Sequence, residues 1–197
     1  MRLVLATANP HKAVEIAEVL GPEFDLVARP LDVPEVAEDA DTFEGNARLK
    51  AAALVAATGD PALADDSGLE VDALGGAPGV HSARYAGEHA TGAANVSRLL
   101  SELSRVSGAG PGSVARTARF RCVLVLLWPD GREVVAQGVV EGHIVDAPRG
   151  ESGFGYDPVF VPDDPSARSR TFAEMSSAEK HAISHRGKAL RHLMTVL

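Results

Sequence analysis

Ala64-Asp65-Asp66-Ser67-Gly68-Leu69 is the stretch from which the rest of the chain can be read. A short apolar run ends at Leu63 and Ala64, and two adjacent carboxylates, a hydroxyl and a glycine follow. The pattern predicts an extended segment that stops at Asp-Asp-Ser-Gly, the carboxyl end of a strand entering a tight loop. Open α/β sheets collect their ligand chemistry at such strand ends. Two neighbouring carboxylates are hard to keep charged together unless a cation sits between them. Mg²⁺ suits that role, because it takes oxygen ligands and fills its shell with waters and substrate phosphates. The same residues also form an Asx turn for purely local reasons.

On the amino-terminal side, residues 3–6 read as a buried strand and 13–20 as a helix closed by Gly21. Between them lies Thr7-Ala8-Asn9-Pro10-His11-Lys12. A strand-to-helix loop offers free N–H groups and the positive end of a helix dipole, which favours phosphate. Thr7 and Asn9 can add hydrogen bonds there, and Lys12 a point charge. Asn9 also fits as a helix cap with Pro10 behind it, and the two readings are compatible. Residues 24–28 predict a second strand, and 29–41 an irregular acidic loop containing Glu35, Glu38 and Asp39. Asp41-Thr42-Phe43-Glu44 looks like a variant capping box opening a helix that ends near Thr58-Gly59. Asn46 and Lys50, four apart, share one face of it, with Leu49, Ala53, Ala56 and Ala57 packing elsewhere.

On the carboxyl side, the glycines of 75–79 deliver Ser82-Ala83-Arg84-Tyr85, and 95–103 is an amphipathic helix. Residues 104–113 read as a surface linker. Residues 117–128 and 133–140, joined by Pro129-Asp130-Gly131, predict a hairpin. In Gly150-Glu151-Ser152-Gly153-Phe154-Gly155-Tyr156-Asp157-Pro158, aromatic rings between glycines could stack on a base, and Asp157 could anchor polar groups. Its spacing is not a dinucleotide fingerprint. Thr-x-x-Glu at 171 and Ser-x-x-Glu at 176 precede a final helix with Ile183, Leu190, Met194 and Leu197 as its apolar stripe. Lys180, His181, Ser184, His185 and Arg186 crowd that helix with polar groups. The two histidines lack the further ligands of a zinc site.

Composition narrows the class. At 197 residues, with 45% hydrophobic and 23% charged, the chain is globular and long enough for one large domain or two closely joined lobes. Its net charge of −8 argues against a nucleic-acid partner. A single cysteine, Cys122, excludes an internal disulfide. No stretch is apolar for long enough to span a membrane, and the start shows no signal-peptide pattern. The expected setting is cytoplasmic.

These pieces together resemble one family, the Ham1-like inosine/xanthosine triphosphatases that act on non-canonical purine nucleotides. The resemblance is carried by Thr7-x-Asn9-x-x-Lys12, Thr42-Phe43-x-x-Asn46-Ala47-x-x-Lys50-Ala51, the Asp65-Asp66 stretch, Gly76-Ala77-Pro78-Gly79, Ser82-Ala83-Arg84-Tyr85, Gly153–Pro158 and Ser184-His185-Arg186-Gly187, in that order along the chain. It implies an elongated mixed β-sheet flanked by helices, one domain over 1–197 with two lobes and a central nucleotide cleft, commonly a homodimer. It implies hydrolysis of XTP, ITP and dITP to the monophosphate and pyrophosphate, with Mg²⁺. Carried over residue by residue, Thr7, Ala8, Asn9, Pro10, His11 and Lys12 hold phosphate, as does Lys50. Glu38 and Asp66 are metal ligands, Asp66 doubles as proton acceptor, and Asp65 is a second ligand or a support. Ser67 contacts substrate, and Arg84 adds a cation. Phe154, Gly155, Tyr156 and Asp157 with Lys180, His185 and Arg186 form the purine pocket. The alternative is a related pyrophosphatase for other modified nucleotides.

Overall fold

The computed structural model describes residues 1–7, 9–106 and 116–197. Its strands are β1 (Arg2–Leu5), β2 (Asp25–Val27), β3 (Ala62–Val71), β4 (Thr117–Leu127), β5 (Glu133–Ile144) and β6 (Phe160–Pro162). The helices are α1 (Pro10–Leu20), α2 (Phe43–Thr58), α3 (Gly92–Val106), α4 (Ser177–Ile183) and α5 (His185–Val196). The six strands lie in the order β2-β1-β3-β4-β5-β6. β1 pairs in parallel with β2 and β3, while β5 and β6 are antiparallel, so the sheet is mixed. The chain divides into two compact units, one of 1–67, 122–138 and 185–197, the other of 68–121 and 139–184.

In the first unit β1, β3 and β4 are buried on both faces, and their period of two sorts side chains between two helical layers. Leu3, Leu5, Leu63, Cys122, Leu124 and Leu126 pack with Ile16 and Leu20 of α1 and Ala189, Leu190 and Leu193 of α5. Val4 and Ala62 turn the other way to Leu54 of α2, and Ala64 and Val125 to its Ala47 and Ala51. Gly138 admits α5 onto β5: a Cβ there would stand 2.1 Å from the His185 carbonyl oxygen. α1 is capped by Asn9, whose side chain accepts from the N–H groups of His11 and Lys12, and it ends at Gly21 with φ 69°.

The second unit is one-sided. Ala118 and Phe120 of β4 enter a core with Leu69, Leu99, Leu103, Phe160 and Phe172. The Phe120 and Phe160 rings meet edge to face at 4.7 Å. Arg119 and Arg121 alternate out of that core and pair with Glu141, Asp72 and Glu70.

Several expectations need correction. Asp65-Asp66-Ser67-Gly68 is no strand end: it lies inside the ten-residue β3, which continues because Leu69 and Val71 are both buried in the second unit's core. On α2, Thr42 caps Gly45 and Glu44 pairs with Arg48, so there is no capping box. Leu49 and Ala56 are exposed, and the buried stripe is Phe43, Asn46, Ala47, Ala51 and Leu54. α3 extends through 104–106; the rest of the predicted linker, 107–113, lies outside the described residues, as does Ala8. The final helix is two, because Ser184 is extended at φ −67° and ψ 159°. Met194 and Leu197 are exposed, and Leu193 takes the buried position instead. Among the described residues no helix is long and apolar enough to cross a membrane.

Candidate active site

Because β3 runs straight through the acidic pair, Asp65 and Asp66 leave it on opposite faces. Asp65 follows Leu63 toward α1 and α5; Asp66 follows Ala64 toward α2. Asp65 is in contact with Lys12 and Arg186, and Asp66 with Lys50.

Asp65 is 3% exposed. Its Oδ2 lies 3.0 Å from Lys12 Nζ and 3.1 Å from Arg186 Nη2. Burial alone would raise this carboxyl, but Lys12, Arg186 and Lys50 outweigh it and hold it well below the usual carboxylate range. The Arg186 guanidinium is buried as well; it also donates to Glu15 of α1 and, at 2.9 Å, to Ser67 Oγ. Two carboxylates, an ammonium and a guanidinium thus form a charge-balanced cluster, which is how buried ions are tolerated.

The α2 side is different. Lys50 Nζ lies 2.8 Å from Glu38 Oε1 and 3.4 Å from Asp66 Oδ1. Asn46 Nδ2 donates to Asp66 Oδ2 at 3.2 Å, and Asn46 Oδ1 accepts from the Ala40 N–H at 3.0 Å. One ammonium faces two carboxylates. The Asp66 carboxyl is raised above its ordinary value, by burial first and by Glu38 as well, against the pull of Lys50. Lys50 is raised despite its burial, because Asp66, Asp65 and Glu38 favour the charged form.

Such an oxygen pair fits a hard divalent cation. Mg²⁺ is commonly held by one or two carboxylates, with waters and substrate phosphates completing its shell. Among the described residues no three His, Cys, Asp or Glu side chains group in a metal-holding arrangement. Asp65 Oδ2 is held by Lys12 and Arg186, which suits the supporting role expected of it as the alternative to a metal ligand.

At the Thr7–Lys12 loop the capping reading holds. Asn9 Oδ1 takes the His11 N–H at 2.9 Å, and Thr7 Oγ1 takes the Asn9 N–H at 3.1 Å. Pro10 opens α1, His11 is exposed, and Lys12 reaches the Asp65 carboxylate.

The second unit carries the glycine-aromatic loop. Asp157 Oδ2 accepts from the Phe154 N–H at 2.8 Å and from Lys180 Nζ at 2.7 Å. Lys180 Nζ stands 4.8 Å from the centre of the Phe154 ring, a cation–π contact. Gly153 lets Asp157 close this loop, since a Cβ there would meet Asp157 Oδ2 at 2.1 Å. Tyr156 is not a stacking face: it is 4% exposed in the core and donates its hydroxyl to the Ser82 carbonyl. Gly155 is exposed beside it, and Arg84 ends a 3-10 turn, half-buried.

Phe154, Asp157 and Lys180 sit together in the second unit, whereas His185 and Arg186, both buried, open α5 in the first. One polar residue, Glu15, escaped the sequence reading, and for Asn46 only its partners did. Glu15 follows Lys12 by three positions on the buried face of α1, and a carboxylate in that apolar stripe was its only signal. Asn46 was marked by its motif and its spacing from Lys50, yet its partners come from a loop and a strand no local pattern connects.

Comparison with known proteins adds to this geometry. A sequence profile of the Ham1 family matches residues 3–196. A dITP/XTP pyrophosphatase of Streptomyces avermitilis is 49% identical over 201 residues, covering 100% of this chain and 96% of that protein. One of Desulforamulus reducens is 50% identical with the same coverage. The solved structure of a HAM1 protein from Coxiella burnetii superposes with a TM-score of 0.87 at 42% identity, covering 100% of this chain and 98% of that one.

Proposed function

The chain belongs to the Ham1 family, and on that premise we propose that it hydrolyses dITP, ITP and XTP between the α and β phosphates, releasing the monophosphate and pyrophosphate. It is a hydrolase of the triphosphate anhydride. The observation that carries the mechanism is the pair of carboxylates, Glu38 and Asp66, sharing the single ammonium of Lys50.

Glu38 and Asp66 would hold Mg²⁺, with substrate phosphates completing its shell. That ion supplies neutralisation of the phosphate oxygens and acidifies the water it carries. Lys50, released in part from its two carboxylates, binds phosphate. Asp66 orients the attacking water and accepts its proton. Lys12 offers the phosphate tail a second cation, and Arg186 keeps Asp65 and Ser67 in place beneath it.

Lys180, poised on the Phe154 ring, reads the base. An ammonium donates to the 6-oxo group of hypoxanthine or xanthine; adenine presents a donor at that position and is refused. Sites built to hydrogen-bond one group reject analogues lacking it by about 10⁴-fold or more. The reading extends to a cytoplasmic homodimer without a nucleic-acid partner, and the net charge of −8 supports the last point.

The test is product identification with ITP, with and without Mg²⁺, across a panel of XTP, GTP, ATP and dUTP. Pyrophosphate and IMP appearing only with the metal is the expected result. Orthophosphate as the first product, or equal rates on the pyrimidine, overturns it.

A further inference from the structure

Glu38 lies in the irregular acidic loop between β2 and α2, where no ladder or helix fixes it. Yet its carboxylate meets the same ammonium as Asp66, twenty-eight positions on in the sequence and fixed in β3. Something must hold the loop at that place. Two independent features do so, both in the first turn of α2.

The first is the Asn46 side chain, which is 0% exposed. Its amide spans the gap: the oxygen takes the Ala40 N–H at 3.0 Å, and the nitrogen donates to Asp66 Oδ2 at 3.2 Å. Lys50 already sits on Asp66 Oδ1. Asn46 thus fixes the other oxygen of that carboxylate and the backbone two residues past Glu38 together. The second is Gly45. A Cβ built there would stand 2.7 Å from Ala40 Cβ and 3.0 Å from Thr42 Oγ1. The Gly45 backbone therefore sits against the Ala40 side chain with no room for a Cβ between them, and Ala40 has no flexible end to yield.

From these we infer that Asn46 is a positioning residue and that Gly45 and Asn46 together clamp the acidic loop, setting Glu38 against Asp66 as a cation-binding pair. The inference rests on the functional reading above, but the clamp has its own observables. Asn46 acts through Asp66 and Ala40. Outer-shell partners of metal ligands commonly change metal affinity or activity by about 10- to 100-fold when replaced.

Two variants test it from different sides: Asn46→Leu removes both hydrogen bonds at similar volume, and Gly45→Ala leaves the amide intact while displacing Ala40. Amide exchange at Ala40 and Mn²⁺ binding to the nucleotide-free protein, followed by electron paramagnetic resonance, are read beside turnover of ITP. In both variants the Ala40 amide should lose protection and the apparent Mn²⁺ Kd should rise about 10- to 100-fold. The kcat should fall with KM for ITP little changed, and a higher Mg²⁺ concentration should restore part of it. Wild-type Ala40 exchange and Mn²⁺ affinity in both variants overturn the clamp. If Asn46→Leu does not fold, Gly45→Ala alone decides by the same readouts. If wild-type protein releases no pyrophosphate from ITP, the hydrolase reading falls, while exchange at Ala40 still decides the clamp.

Discussion

Asp66 and Asp65 are neighbours with different work, and substitution separates them. Asp66→Asn keeps the shape and the Asn46 contact but removes the charge that a cation and a base both need. Turnover of ITP should fall by about 10³-fold or more, the combined scale of metal and general-base loss, with the fold intact by circular dichroism. A kcat near wild type would exclude Asp66 both as metal ligand and as base. Asp65 belongs instead to stability. Arg186→Met takes the guanidinium from the buried Asp65 and from Glu15, and breaking such a pair costs about 3–5 kcal/mol, readable as a lower urea midpoint. The pH dependence has a definite sign. The Asp65 carboxyl is depressed in the folded protein, so its contribution is complete above the unfolded value near pH ~3.9 and is lost as pH falls toward the folded one. Stability should decline below about pH 4, and Asp65→Asn should flatten that decline. Lys180→Ala speaks to the base: kcat/KM for ITP should drop more than for ATP, and equal losses would mean that Lys180 does not read the 6-oxo group.

At the scale of elements, most of the fold was legible because its signals are local. Asn9-Pro10 at one end of α1 and Gly21 at the other, Thr42 and Gly59 around α2, and the Pro-Asp-Gly turn between β4 and β5 each act within a few residues. The acidic pair was misread for a physical reason. Asp, Ser and Gly have turn chemistry, but β3 carries them in extended form because cations from α1, α2 and α5 replace the solvent a turn would have provided. Those cations lie up to 121 positions away in sequence, at Arg186 from Asp65, and no local pattern reports them. The same limit hid Glu15 and the partners of Asn46, and it put Tyr156 with the ligand-facing rings when its hydroxyl belongs to Ser82. Residue types of the site could be named from the sequence; the faces they occupy could not. The contact of α5 with β5 makes its own prediction. In Gly138→Ala the new Cβ would lie 2.1 Å from the His185 oxygen and 2.4 Å from the Ala189 nitrogen, so the helix must move. Overpacking of that kind costs about 1–3 kcal/mol, and an unchanged denaturation midpoint would show that α5 shifts freely.

For the whole molecule the governing fact is charge. A protein of net charge −8 takes a polyanionic substrate, so long-range electrostatics oppose the encounter and the site must reverse them locally. Lys12, Arg186 and Lys50 are already committed to Asp65, Glu15, Glu38 and Asp66, which leaves little positive charge for a triphosphate. A divalent cation on Glu38 and Asp66 alters that balance, because it cancels both carboxylates and frees Lys50 at once. Metal and nucleotide should therefore bind with strong mutual dependence, each tightening the other by the same factor. A non-hydrolysable ITP analogue measures this through the stability of the chain. At about 100 times its Kd it adds about 2.7 kcal/mol, which for a chain of this size raises Tm by roughly 5–10 °C. That rise should require Mg²⁺. With the metal chelated the same analogue concentration should shift Tm by less than about 2 °C, since the unrelieved carboxylates repel the phosphates. Asp66→Asn removes one of those charges, so it should narrow the difference between the two conditions from both directions, weakening the metal-dependent gain and easing the metal-free repulsion. An equal shift with and without Mg²⁺ in the wild-type protein would mean that the cations of the chain suffice, and that Glu38 and Asp66 serve only to hold Lys50.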